Sequence, residues 1–237
     1  MHAPERKIVP RGPQIVLLVI AALLTTGCDE EGTSTGRLEK VWGSRGSSEG
    51  RFQKPRAMAI DADDQLYIVD MTARIQVFDR DGNYLRGWQT PVHVAGRPTG
   101  MSFDRRGRLL VADTHYYRVL VYSTEGELLD TLGGVHGQSP GEFGLVTDAV
   151  EDHAGNLYVS EYGEYDRIQK FSPEGKFLLQ WGGHGGEPGQ FMRPQSLAID
   201  EEEANFRKSG ILALQLHSGQ PMKIEVRDIR IRERPER

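Results

Sequence analysis

One cysteine in 237 residues leaves no partner for an internal disulfide and excludes a zinc cluster built from thiolates within the chain. Long apolar runs are missing too: Ile15 to Leu24 is the longest, and its ten residues are too few to cross a bilayer as a helix. No sign of charge dominates, with 29 Lys plus Arg against 34 Asp plus Glu. The chain has no nucleophile elbow, phosphate-binding glycine loop, zinc-protease helix or paired-carboxylate spacing. What it does have is glycine, 28 in all, as a turn-rich β protein requires.

The N-terminus reads as an export signal, because Arg6, Lys7 and Arg11 precede the apolar run. The run ends in Thr25-Thr26-Gly27-Cys28, which resembles the lipobox of bacterial lipoproteins, although Thr25 stands where that family usually has Leu. The resemblance implies cleavage before Cys28 and a lipid on its sulfur, worth about 0.8 kcal/mol per buried methylene. An ordinary cleaved signal and an uncleaved anchor are the alternatives. The expected location is the cell envelope, with the chain held by lipid to a membrane and facing the periplasm or the outside. Residues 1–27 hold three basic residues and one acid, so their removal takes the net charge from −5 to −7. Such an acidic chain is a poor nucleic-acid binder. Residues 28–37 are small and polar, as in a flexible tether.

The body repeats itself. Arg74 to Gly82 (RIQVFDRDG), Arg118 to Gly126 (RVLVYSTEG) and Arg167 to Gly175 (RIQKFSPEG) align without gaps. Each is preceded by a second matching segment: Leu66 to Asp70, Leu109 to Asp113 and Leu157 to Glu161. A third segment, Trp42 to Asp61, returns as Trp181 to Asp200. A period in the forties with several short strands and glycine turns predicts β-propeller blades, each burying its faces on its neighbours.

These segments resemble the NHL repeat over residues 38–200: a Trp-Gly…Gly-x-Phe…Pro…Ala-Ile-Asp lead-in, a Leu-Tyr-Val-x-Asp strand and an Arg-Ile-Gln-x-Phe-x-x-x-Gly hairpin. The resemblance implies an all-β propeller, most often a binding platform and in some branches a lyase or hydrolase. Three repeats are complete and a fourth is begun, so self-association through open blade edges is an expected outcome. Beyond a charged linker at 201–209, residues 210–237 predict a β-hairpin. This segment is similar to the end of the 3-keto-disaccharide hydrolase domain, a concanavalin-like sandwich, and implies that the chain joins pieces of two domains.

Candidate chemistry is sparse. Arg74, Arg118 and Arg167 recur in register, each shortly after an acid, and read either as a charged binding groove or as repeated bonds within each blade. His115, Tyr116 and Tyr117 form a loop cluster able to contact a sugar or peptide. His136 and His184 fall in glycine-rich loops and are weak metal candidates, with no third ligand identifiable. The expected function is a scaffold for a protein, peptide or carbohydrate ligand, without a cofactor. The alternative is an enzyme: a remnant of a 3-keto-disaccharide hydrolase acting on sugars, or a propeller hydrolase or lyase.

Overall fold

The computed structural model describes residues 40–199, so the expected signal, tether, charged linker and C-terminal hairpin lie outside the described residues. The chain divides into two units, Met1–Val41 and Trp42–Arg237, and every strand described belongs to the second.

A short parallel pair opens it, β1 (Ser44–Arg45) with β2 (Arg51–Phe52). Three four-stranded antiparallel sheets follow in simple meander order. Blade 1 comprises β3 (Pro55–Ile60), β4 (Leu66–Asp70), β5 (Arg74–Phe78) and β6 (Tyr84–Gln89). Blade 2 comprises β7 (Gly100–Phe103), β8 (Leu109–Asp113), β9 (Arg118–Tyr122) and β10 (Leu128–Gly133), with one 3-10 turn at Thr114–Tyr116. Blade 3 comprises β11 (Leu145–Glu151), β12 (Leu157–Tyr162), β13 (Arg167–Phe171) and β14 (Phe177–Gly182). The protein is therefore an all-β partial propeller, with the strand segments and hairpins where the repeat places them.

Turn chemistry is the same in each blade. Asp61, Asp104 and Asp152 close the first hairpin by accepting, through Oδ1, the backbone N–H groups two and four residues on. In the third-to-fourth-strand hairpin a glycine takes positive φ, 79° at Gly82 and 88° at Gly126. It must also lack a side chain, since a Cβ there would lie 2.5 Å from Trp42 or 2.6 Å from Trp88. The tryptophan of one lead-in thus caps the hairpin of the blade it enters.

Packing explains why the middle strands are apolar on both faces. Leu109 and Val111 join Tyr67, Val69, Ile75 and Val77 in a core between blades 1 and 2. Leu110 and Ala112 turn the other way, into a core with Phe143, Val146, Val159 and Phe171 of blade 3. Each buried Val, Leu, Ile or Phe here contributes about 1.5–3 kcal/mol by leaving water. On the far side of blade 3, Leu197 covers Tyr158 and Ile168, so the segment 191–199 begins a fourth blade. Blade 1 lacks a neighbour among the described residues: Met58 is 61% exposed, whereas Met101, its counterpart three residues before the turn aspartate, is 8% exposed.

Candidate binding face

At the end of each sheet opposite the hairpins, the chain passes from the second strand to the third and from one blade to the next. The residue before each repeated arginine turns this corner in the left-handed region: Ala73 at φ 61°, Tyr117 at 56° and Asp166 at 42°. Their carbonyls accept the N–H groups of Thr90, Gly134 and Gly183, which ties every corner to the start of the following lead-in loop.

This geometry brings several sequence candidates together. The Tyr117 ring lies 4.7 Å from the His136 ring, and His136 lies 6.0 Å from Tyr165. A row of aromatic faces therefore crosses from blade 2 to blade 3. His136 Nε2 is also 4.0 Å from Glu164, an exposed pair that adds little stability but sets charge beside the rings. Arg118 stacks on Tyr116 and Arg167 on Tyr165, both at 5.1 Å, and Arg193 covers Tyr162 at 4.6 Å. Half-buried aromatic rings with polar rims suit a ligand that offers both apolar faces and hydroxyl or amide groups.

His184 sits one lead-in loop further on. Its Nδ1 is 2.5 Å from Oδ2 of Asp166, a fully buried carboxylate, while the imidazole itself stays open to solvent. His136 and His184 keep separate partners, and among the described residues no three His, Cys, Asp or Glu converge as a metal site would need. His115 is half-buried in the 3-10 turn; burial, with Arg97 and Arg56 adding repulsion, pulls its pKa below the usual histidine value.

The repeated arginines each pair with the preceding acid: Arg74 with Asp70 at 2.9 Å, Arg118 with Asp113 at 2.8 Å, and Arg167 with Glu161. Burial raises the Asp113 and Glu161 pKa values, and the arginines oppose that rise. Asp70 is also buried, but Thr72, Gln53 and Arg74 donate to it and hold its pKa below the ordinary carboxylate value. Arg74 and Arg167 additionally donate to lead-in-loop carbonyls: Ser47, Ser48 and Arg51 for the first, Gly137, Gln138 and Glu142 for the second. These bonds lie within the fold.

Sequence reasoning missed Glu164, Tyr165, Tyr162 and Asp166, which share one corner but show no repeat signal. It also missed Asp148 on β11, a buried carboxylate that accepts from Leu197 N–H at 2.9 Å and Ser196 Oγ at 3.1 Å. Burial, eased by these donors, pushes its pKa up to about 6.

No family model matches the chain. Among curated proteins it is similar to the peptidylglycine alpha-amidating monooxygenase of Rattus norvegicus, 39% identical over 111 residues, which is 43% of this chain and 11% of that protein. The Xenopus laevis form B is 34% identical over 117 residues, 46% of this chain and 13% of that protein. The chain thus spans about a tenth of the length of these relatives. Among solved structures, virginiamycin B lyase from Staphylococcus aureus aligns with a TM-score of 0.48 at 14% identity, over 62% of this chain and 46% of that one. A Bacteroides caccae protein of unknown function aligns at 0.46 and 17%, over 70% and 53%.

Proposed function

We propose that the protein is an exported, lipid-anchored NHL-type propeller that serves as a binding scaffold, presenting its corner face to a protein, peptide or carbohydrate ligand. The observation that carries this reading is the Tyr117–His136–Tyr165 row, which joins two blades at one exposed end. Lipid on Cys28 would hold the chain at an envelope surface, and the acidic mature chain fits a partner other than nucleic acid. Titration of the 28–237 chain with a panel of neutral oligosaccharides and short peptides, read by NMR of histidine and tyrosine side chains, tests it. A ligand that shifts His136 and Tyr165 and is lost in His136→Ala supports the reading; binding that leaves both unmoved contradicts it. For anchoring, Cys28→Ser moves the protein from the detergent phase to the aqueous phase, and an unmodified mature N-terminus at another position contradicts it.

A second reading, a propeller hydrolase or lyase, draws on His184. An exposed imidazole oriented by a buried carboxylate is the arrangement of a general base. Turnover that disappears in both His184→Ala and Asp166→Asn, with binding retained, would favour it over the scaffold.

A further inference from the structure

We infer that blade 1 holds a binding site for a neutral sugar residue, in a cleft of about 570 Å³ bordered by Glu49, Arg74, Gln76, Tyr84, Gly87 and Gln89. The site uses no residue of the Tyr117–His136–Tyr165 row.

Blades 1 and 3 share the frame around this place. A phenylalanine nine residues before the turn aspartate anchors each lead-in loop, Phe52 on Phe78 at 5.4 Å and Phe143 on Phe171 at 5.8 Å. A glutamine then clamps the loop backbone. Gln76 donates to the Arg51 carbonyl at 2.8 Å and accepts from Gly50 N–H at 2.9 Å, as Gln169 does with Glu142 at 2.7 Å and Gly141 at 3.0 Å.

Within that frame blade 3 closes the space and blade 1 leaves it open. Opposite Gln169 stands Gln180, which accepts from Arg167 Nη1 at 2.9 Å and fills the place from within. Opposite Gln76 stands Gly87, which has no side chain to do so. A Cβ there would lie 2.8 Å from the Ile75 carbonyl oxygen and 3.2 Å from the Tyr84 hydroxyl, so the bare strand also lets the phenol lie close against it.

Three further differences border the same cleft, and each adds a polar group. Tyr84 stands where blade 3 has Phe177, Gln89 where it has Gly182, and Glu49 where it has Pro140. The Tyr84 ring is held edge-on by Phe78 at 6.0 Å, and its hydroxyl donates to Glu49. Burial first, and then this carboxylate, raises the phenol pKa. Gln89 is fixed by its bond to the Thr72 carbonyl at 3.0 Å.

The ligand class follows from what these groups can still do. Both Nη groups of Arg74 are taken by the Ser47, Ser48 and Arg51 carbonyls and by Asp70, so no guanidinium fork is left for a phosphate or carboxylate. Glu49 repels an anion as well. A carboxylate, a phenol and two amides remain, which exchange hydrogen bonds with hydroxyls in both directions, and the tyrosine ring suits the C–H face of a sugar.

The probes are the methyl glycosides of glucose, galactose and mannose, titrated into the full chain and followed by calorimetry and tyrosine side-chain NMR. At least one should saturate one-to-one, with a dissociation constant of about 1 mM for a ligand of this size, and shift Tyr84. Affinity should fall about tenfold in Tyr84→Phe, which removes only the hydroxyl, and in Glu49→Ala on the exposed loop. Gly87→Gln, which restores the blade 3 filler, should abolish binding, whereas His136→Ala should leave it unchanged. No saturation by any glycoside at about ten times that concentration overturns the inference. So does equal affinity for the wild type, Tyr84→Phe and Glu49→Ala, loss of binding in His136→Ala, or tighter binding of methyl glucuronide than of the neutral glycosides.

Discussion

Blades 2 and 3 share a strand plan and a buried acid–arginine pair, yet they satisfy that pair differently. Arg167 donates to Glu161, to Gln180 and to three loop carbonyls, so its fork is filled by the chain itself. Arg118 donates to Asp113 and stacks on Tyr116. The contrast teaches that a repeated residue need not carry a repeated role, because what it bonds depends on a loop some 30 residues away in the sequence.

The sharpest break of this comparison is Arg167→Leu against Arg118→Leu. Removing Arg167 strands a buried carboxylate and three carbonyls, and we expect a loss of about 3–5 kcal/mol in unfolding free energy. Arg118→Leu removes fewer bonds and should cost about 2 kcal/mol less. Equal losses in denaturant melts would show that the bonds to the loop carbonyls contribute nothing net.

Asp148 gives the next effect. Counterparts four residues before the turn aspartate are Ala57 and Gly100 in blades 1 and 2, so only blade 3 holds its follower with a carboxylate. Burial raises the native pKa to about 6, so the folded state holds the proton more tightly than the unfolded chain. Its contribution is full below about pH 4 and is lost as pH rises through about 6, on the order of 3 kcal/mol. Asp148→Asn should flatten that part of the stability–pH curve; an unchanged slope would show that Asp148 does not titrate there.

The smallest effect separates two neighbouring glycines. A Cβ on Gly133 would lie 2.5 Å from the Phe143 ring and 2.7 Å from the Tyr117 carbonyl, whereas Gly134, also at positive φ, has open space. Gly134→Ala should cost about 1 kcal/mol from backbone conformation alone, and Gly133→Ala about 1 kcal/mol more or greater. Matched melting temperatures would contradict the close packing of Phe143 on this corner.

The blades themselves were legible in the sequence because their signals are local: short apolar strands, turn aspartates and hairpin glycines all recur at a readable period. Leu66–Asp70 and Leu109–Asp113 are strands with the bounds the repeat suggests. The corner was not legible, since Tyr117, His136 and Tyr165 meet only when blade 3 packs on blade 2. The different lead-in of blade 2 left one trace, Ala95 in the place of Phe52 and Phe143, visible only once turn aspartates rather than arginines are used as the alignment mark.

The guanidinium protons report the central contrast most directly. Side-chain hydrogen exchange of Arg74, Arg118 and Arg167, measured on the full chain by nitrogen-15 NMR, should show slow exchange at the Nη groups of Arg74 and Arg167, which donate to loop carbonyls, and faster exchange at Arg118. Equal protection of all three arginines would contradict the account, because the loop carbonyls would then add nothing to the bonding of Arg74 and Arg167.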